Sequence, residues 1–229
     1  MPTFYVPLLF AFLLCAGTAC SDASRLNQLQ ARTLRELNRP LRPGPPQLPS
    51  PETLQKRMAF LQAAAIDLDE ITFSSLQPTQ KKQYETLRQQ LTDAEAEVRA
   101  LRQDPSAYHF FEAMAATLPS PPFSEETLGK VIPLLQKIPA YYGQARQNLT
   151  SPSLEGCRKA VSAHLSVVAI LVEIGQEAKG STLPPSQKAM LRHSCEEALL
   201  AVKDYIAWCN SRAFEKDTPR QLSTIRPTN

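Results

Sequence analysis

The sequence predicts an all-α protein, an antiparallel bundle of six or seven helices behind an export signal, and three observations carry that prediction. Apolar residues from Tyr84 to Leu101 recur at alternating spacings of three and four, the period of one helix face. Helix starts are marked at Ser50-Pro51-Glu52, Ser124-Glu125-Glu126 and Ser151-Pro152, where a capping hydroxyl precedes a proline or a carboxylate. Strand-forming material is thin: seven Gly and scattered Val and Ile give no Gly-rich phosphate loop and little β-sheet. The 229 residues suffice for one domain with a real core, or a domain with a tail. Lys and Arg total 25 against 22 Asp and Glu, a formal charge of +3. That balance excludes a strongly basic nucleic-acid binder and a disordered acidic tail, so no nucleic-acid partner is expected.

Residues 4–16 form an uncharged apolar run, Phe-Tyr-Val-Pro-Leu-Leu-Phe-Ala-Phe-Leu-Leu-Cys-Ala. It falls short of the roughly 18–20 residues a membrane-spanning helix needs. Gly17, Thr18 and Ala19 follow at once, so residues 1–19 read as a secretory signal peptide, although no Lys or Arg precedes the run. Gly17-Thr18-Ala19-Cys20 resembles the bacterial lipobox, in which the cysteine receives the lipid that anchors the mature chain; Gly17 stands where a branched residue is usual. Cleavage after Ala19 by a general signal peptidase is the other reading. The lipobox makes Cys20 the lipidation site, with Ser21 resembling the sorting residue of outer-membrane lipoproteins. The predicted address is the periplasm, anchored at the outer membrane.

Residues 20–50 read as a tether. Leu26, Leu29, Leu34 and Leu37 allow a short amphipathic helix over 23–38, and five prolines between Pro40 and Pro49 then enforce an extended spacer. The helical domain is expected over 51–212. Its first helix carries Leu54, Met58, Leu61, Ala65 and Leu68 on one face and ends before a break near Ser74 to Pro78. The Tyr84–Leu101 seam spans too few heptads for a free coiled coil and fits a bundle better. Asp104-Pro105 stops that helix, Tyr108–Leu118 predicts a short one, and Pro119, Pro121 and Pro122 force a turn. Ser124 then starts a helix through Lys137 with Pro133 inside it, which predicts a kink, and Pro139 begins a segment to Leu149. After Ser151-Pro152 comes Leu165–Ile174, apolar nearly all round, which predicts a helix in the middle of the bundle. A loop over 180–186 precedes a last long helix, Gln187–Asn210, and residues 213–229 form a polar tail.

Three cysteines remain in the mature body: Cys157, Cys195 and Cys209. In an oxidising compartment an odd number predicts one bridge and one free thiol. If the last two long helices form a hairpin centred near residue 183, Cys157 and Cys209 are equidistant from its centre and face each other. Cys195 lies about 21 Å from Cys209 along one helix, beyond disulfide reach. A Cys157–Cys209 bridge is therefore expected.

No catalytic constellation is visible, and no cofactor is expected. His109, His164 and His193 are scattered, and no His-Glu-x-x-His occurs. His193 shares a helix face with Glu196 or Glu197, which is half a metal site, because zinc takes at least three protein ligands. The hairpin places His164 opposite a position near residue 202, about 13 Å along the helix from His193, and assigns His109 to another segment. No Gly-x-Ser-x-Gly turn and no recognisable nucleophilic cysteine are present. Asn148-Leu149-Thr150 matches a glycosylation sequon, read as chance behind a bacterial leader; Tyr205 and Trp208 read as core. The expectation is no catalytic, cofactor-binding or metal-binding residue, and no enzyme.

The order of several short motifs carries a family resemblance. Arg57-Met58-Ala59-Phe60-Leu61 precedes Ile66-Asp67-Leu68; Tyr84-Glu85-Thr86-Leu87-Arg88-Gln89-Gln90-Leu91 and Asp104-Pro105-Ser106-Ala107-Tyr108 follow. Then come Ile138-Pro139-Ala140-Tyr141-Tyr142, Ala145-Arg146-Gln147-Asn148-Leu149 and Tyr205-Ile206-Ala207-Trp208. Over about residues 50–212 this resembles the N-terminal helical region of domain-of-unknown-function family 885, exported bacterial proteins that often carry a lipobox. Complete members run to more than twice this length, and their distal half carries a zinc-protease-like His-Glu-x-x-His helix that has no counterpart here. The resemblance implies the fold and the compartment and argues against independent peptidase activity. The predicted function is a non-catalytic, lipid-anchored interaction or accessory module, with the membrane and an unidentified envelope protein as partners. The alternative is the N-terminal piece of a zinc-metallopeptidase-like hydrolase whose catalytic half is absent.

Overall fold

The structure, a computed structural model, describes residues 6–41, 47–113 and 124–217, with side chains described from Asp22 to Ala213 within those spans except at Ala113. The expected leader 1–19 falls within α1 (Val6–Leu37) from Val6 onward, and the side chain of Cys20 lies outside the described residues. Most of the expected polar tail, residues 218–229, also lies outside them. Among the described residues every regular element is helical: α2 (Pro51–Asp69), α3 (Pro78–Gln103), α4 (Phe110–Ala113, a single turn), α5 (Glu125–Leu135), α6 (Ile138–Asn148), α7 (Leu154–Gly180) and α8 (Pro185–Asp217). Two short 3-10 turns, Phe73–Ser75 and Pro105–Ala107, punctuate the chain where the sequence placed breaks. The all-α prediction holds.

The chain divides into two compact units, the first comprising residues 1–41 and 52–98, the second residues 42–51 and 99–229. In the first, α1 and α2 run antiparallel, as shown by Ser75 bonding Asp22, Arg25 pairing with Glu70 and Arg32 with Asp67. Leu26, Leu29 and Thr33 of α1 are buried, with Leu54, Leu61, Ala64 and Leu68 of α2 and Tyr84, Leu87, Leu91 and Val98 of α3. The expected tether over 20–50 is thus too long. Residues 22–37 are a packed helix because their leucines face a core, and the extended stretch is confined to the proline-dense segment that follows, of which residues 42–46 lie outside the described residues. Burial also corrects the face of α2. Leu54, Arg57, Leu61, Ala64 and Leu68 form the buried row, displacing Met58 and Ala65.

In the second unit α7 and α8 form the expected hairpin, and α5 and α6 pack against α8. Ser124 caps α5 by accepting the Thr127 amide at 3.3 Å, as its position predicted. Pro133 sits two residues before the end of α5. The cap of α7 is Ser153, accepting the Gly156 amide at 3.0 Å, two residues later than the predicted start. Pro105–Ala107 lies so close to α7 that a Cβ on Gly156 would stand 2.5 Å from Asp104 Oδ1 and 2.8 Å from Pro105 Cδ. Glycine is required there by close approach. The inner face of α7 repeats three and four through Cys157, Ala160, His164, Val167, Leu171, Ile174 and Ala178, all buried. Leu165, 60% exposed, and Val172, 46% exposed, correct the expectation that this helix is surrounded.

Candidate functional site

The polar interior of the second unit gathers titratable and aromatic side chains from four elements. Asp104 accepts the amide and the hydroxyl of Ser106 at 2.9 and 2.7 Å, which folds the chain after α3 into the Pro105–Ala107 turn. That turn delivers Tyr108 and His109 inward. Tyr108 is buried and its hydroxyl donates to the Leu101 carbonyl in the last turn of α3. Helix α6 supplies Tyr141 and Tyr142, α7 supplies His164, and α8 supplies Tyr205. Their rings pack as one cluster: His164 lies 5.2 Å from Tyr142, 5.1 Å from Tyr205 and 5.1 Å from His109, centre to centre.

His164 is fully buried between two backbone acceptors, with Nδ1 2.6 Å from the Ala160 carbonyl and Nε2 3.1 Å from that of Tyr108. A neutral imidazole donates to only one of them; an imidazolium would donate to both. Burial nevertheless holds its pKa below the ordinary histidine range, with the neighbouring His109 adding to the effect; the two carbonyl contacts and Glu112 oppose it. His109 Nδ1 accepts the Glu112 amide at 3.2 Å, leaving Nε2 as the donor toward the Ala163 carbonyl at 3.4 Å. The sequence reading put His109 in another segment; the Pro105–Ala107 turn brings it back against α7. His193 is exposed on α8, 3.4 Å from Glu197. Among the described residues no cluster of three or more metal-ligating side chains occurs.

Two further side chains tie the unit together. Tyr205 donates to the Pro105 carbonyl at 2.9 Å, and Asn148, buried on α6, donates to the Pro49 carbonyl at 3.0 Å while accepting from Gln144. A buried asparagine amide is closed to glycosylation, which removes the sequon from consideration. Tyr205 is core as expected, and half-buried Trp208 stacks on it at 5.9 Å with the Arg212 guanidinium over its outer face.

The predicted disulfide is not formed. Cys157, Cys195 and Cys209 are all buried free thiols. The hairpin arithmetic did bring Cys157 and Cys209 together: burial, then the Cys157 sulfur beside it, pushes the Cys209 thiol up to about 12. Burial likewise pushes Cys195 up to about 11. A buried thiol held in its protonated form, as Cys209 is, is a poor nucleophile, because the thiolate is the reactive form.

Arg57 in the first unit enters the sequence reading only as part of a motif, and its role in the core was not foreseen. Only 8% exposed, it donates to the carbonyls of Glu36, Leu37 and Arg39 and pairs with the Glu36 carboxylate at 3.0 Å, so one guanidinium closes the C-terminus of α1. Its signal was present: an arginine on a row otherwise filled by Leu54, Leu61, Ala64 and Leu68.

No family model matches the chain, and no curated protein matches it. Its fold is similar to a solved structure described as a candidate lipoprotein of unknown function from Shewanella oneidensis, with a TM-score of 0.52 and 21% identity. The match covers 88% of this chain but 38% of that one, so the chain spans well under half the length of the protein it resembles.

Proposed function

We propose that this chain is an exported, lipid-anchored helical module of the bacterial envelope that acts by interaction and has no catalysis of its own. The observation that carries the reading is the engagement of the histidines. His164 has a backbone carbonyl opposite each ring nitrogen, His109 accepts the Glu112 amide on Nδ1 and faces the Ala163 carbonyl through Nε2, and His193 lies beside a surface carboxylate. A hydrolytic zinc site needs three converging ligands with an open position and a carboxylate to take a proton from the bound water. Here the inward histidines are spent on fastening the Pro105–Ala107 turn to α7. The anchor rests on Gly17-Thr18-Ala19-Cys20, and the lipoprotein description of the Shewanella oneidensis structure supports it. Membership of family 885 is part of the same reading. It is supported by the places its motif residues occupy: Arg57 clasps α1, Tyr108, Tyr142 and Tyr205 build the core, and Asn148 holds Pro49. Two measurements on the full chain test the reading. Cys20→Ser is expected to move the protein from the membrane fraction to the soluble periplasm and to abolish fatty-acid labelling. Metal analysis is expected to find no bound zinc; stoichiometric zinc that survives dialysis and disappears in His193→Ala overturns the non-catalytic reading.

A further inference from the structure

No tether separates the anchor assigned to Cys20 from the first packed turn of the chain. Asp22 follows Cys20 by two residues in α1, about 3 Å along the helix axis. Ser75 Oγ lies 2.9 Å from an Asp22 carboxylate oxygen, and Arg25 pairs with Glu70 at 2.7 Å. The start of α1 is thereby fixed against the turn that joins α2 to α3, and the burial of Leu26 and Leu29 leaves α1 no slack. A lipid on Cys20 brings that turn to the membrane surface. The same end collects the exposed apolar side chains of the first unit. Among its described residues these are Ile66, 61% exposed and one turn from the end of α2, and Phe73, 39% exposed in the Phe73–Ser75 turn. The Phe73 ring meets Tyr84 edge-on at 5.2 Å, and the Lys81 ammonium lies 5.4 Å from its centre. One exposed apolar residue is ordinary, but both at the anchored end is a pattern.

We infer that the α2–α3 turn rests in the interfacial layer of a phospholipid bilayer, with the Phe73 ring inserted between headgroups and the upper acyl chains. Charge decides how the surface is held. Around the turn Asp22, Asp69 and Glu70 offset Arg25, Lys81 and Lys82, so this end has no net charge to draw it to anionic lipid. The attraction comes instead from apolar burial, as for interfacial segments whose aromatic face sinks about 5–10 Å into the headgroup and acyl boundary. Thr72, Ser74 and Ser75 are exposed beside the ring, and their hydroxyls suit the wet headgroup layer. Because the anchor already holds the turn at the surface, insertion is intramolecular, and a contact too weak to recruit a free protein is enough to orient an anchored one.

This inference deepens the lipid-anchored reading and rests on it. The full chain is purified with its lipid and reconstituted into phosphatidylcholine vesicles, carrying one tryptophan in a Trp208→Phe background. That tryptophan stands either at the turn, as Phe73→Trp, or at exposed Gln55, as Gln55→Trp, about 21 Å along α2 from Asp69. Phosphatidylcholine brominated on its acyl chains is expected to quench Phe73→Trp at least twofold and to leave Gln55→Trp unchanged. Adding phosphatidylglycerol is expected to alter neither. No quenching of Phe73→Trp, equal quenching at both positions, or quenching that appears only with phosphatidylglycerol overturns the inference. So does a blue-shifted Phe73→Trp emission that bromine leaves untouched, since that assigns the turn to a protein contact. Fatty-acid labelling of the same samples separates the two readings. A labelled chain with an unquenched turn overturns the inference alone, whereas an unlabelled chain overturns the anchor and the inference with it.

Discussion

Both units must provide donors for backbone carbonyls left open at helix ends and turns, and they do so with different chemistry. In the first, a charged group serves: Arg57 covers three carbonyls at and beyond the end of α1 and balances its charge on Glu36. In the second the donors are neutral and spread out, with Tyr108 on Leu101, Tyr205 on Pro105, Asn148 on Pro49, and His164 on one of its two carbonyls, Ala160 or Tyr108. A single cation concentrates the stabilisation in one residue and leaves no neutral form to fall back on. A neutral network spreads it, but it places a titratable imidazole where protonation is resisted. The two units should therefore fail differently.

The largest effect expected from this contrast is that of Arg57→Ala. It removes three donors at once and leaves the half-buried Glu36 carboxylate without its partner, at about 3 kcal/mol. Arg57→Lys should recover less than half of the loss, because one ammonium cannot span the three carbonyls that a guanidinium fork reaches. Amide exchange reads it locally. Protection in α1 and α2 should fall steeply while the α7–α8 hairpin keeps its own, and equal loss in both would end the idea of separate fastening.

The second unit should instead respond to acid. Because His164 has a lowered pKa in the folded chain, the unfolded chain takes up its proton first as pH falls. Stability contributed by neutral His164 is therefore complete above the unfolded value, about 6.5, and is lost as pH falls below it toward the folded value. One such group changes stability by at most about 1.4 kcal/mol per pH unit within that window. Denaturant midpoints followed through α7 and α8 should fall as pH drops below about 6.5, and His164→Gln should flatten that slope while lowering stability at neutral pH. A slope that survives the substitution assigns the acid sensitivity elsewhere. Glu125, held below its usual range chiefly by the Thr182 hydroxyl, belongs to a lower interval, below about 4.5, and does not confuse the two.

How far this contrast was legible beforehand differs between the units. The α7–α8 hairpin and the apposition of Cys157 with Cys209 followed from helix period and loop position, because a long antiparallel pair has one register once its turn is placed. Whether two facing sulfurs are joined is not a property of spacing, and the bridge was wrongly expected. In α2 the spacing admits two solutions between Leu54 and Leu68: one through Met58 and Ala65, the other through Arg57 and Ala64. Hydrophobicity favours the first. The guanidinium's reach to the end of α1 selects the second, and that requires knowing that residues 22–37 pack on α2 at all. The prolines of 40–49 pointed the other way, toward a tether, and drew the preceding helix into it. The His109–His164 contact depends on a turn of three residues, Pro105–Ala107, whose direction no periodicity encodes.

The smallest effect sharpens the comparison inside the first unit itself. Arg32 and Asp67 join the same two helices that Arg57 joins, at 2.5 Å against 3.0 Å for the Arg57–Glu36 ion pair, and Arg32 also lies 5.6 Å over the Phe60 ring. Ion-pair distance alone would rank this pair above Arg57–Glu36. Exposure reverses the ranking: the two side chains are 53% and 47% exposed, so water screens the attraction and already satisfies both groups when they separate. Arg57, by contrast, has carbonyls to cover that water does not easily reach. A double-mutant cycle on Arg32→Ala and Asp67→Ala should give a coupling of no more than about 1 kcal/mol, shrinking further in high salt. The Arg57→Ala loss should change little with salt. A coupling at Arg32–Asp67 as large as the Arg57 loss would mean that proximity, not burial, sets the strength of α1–α2 fastening.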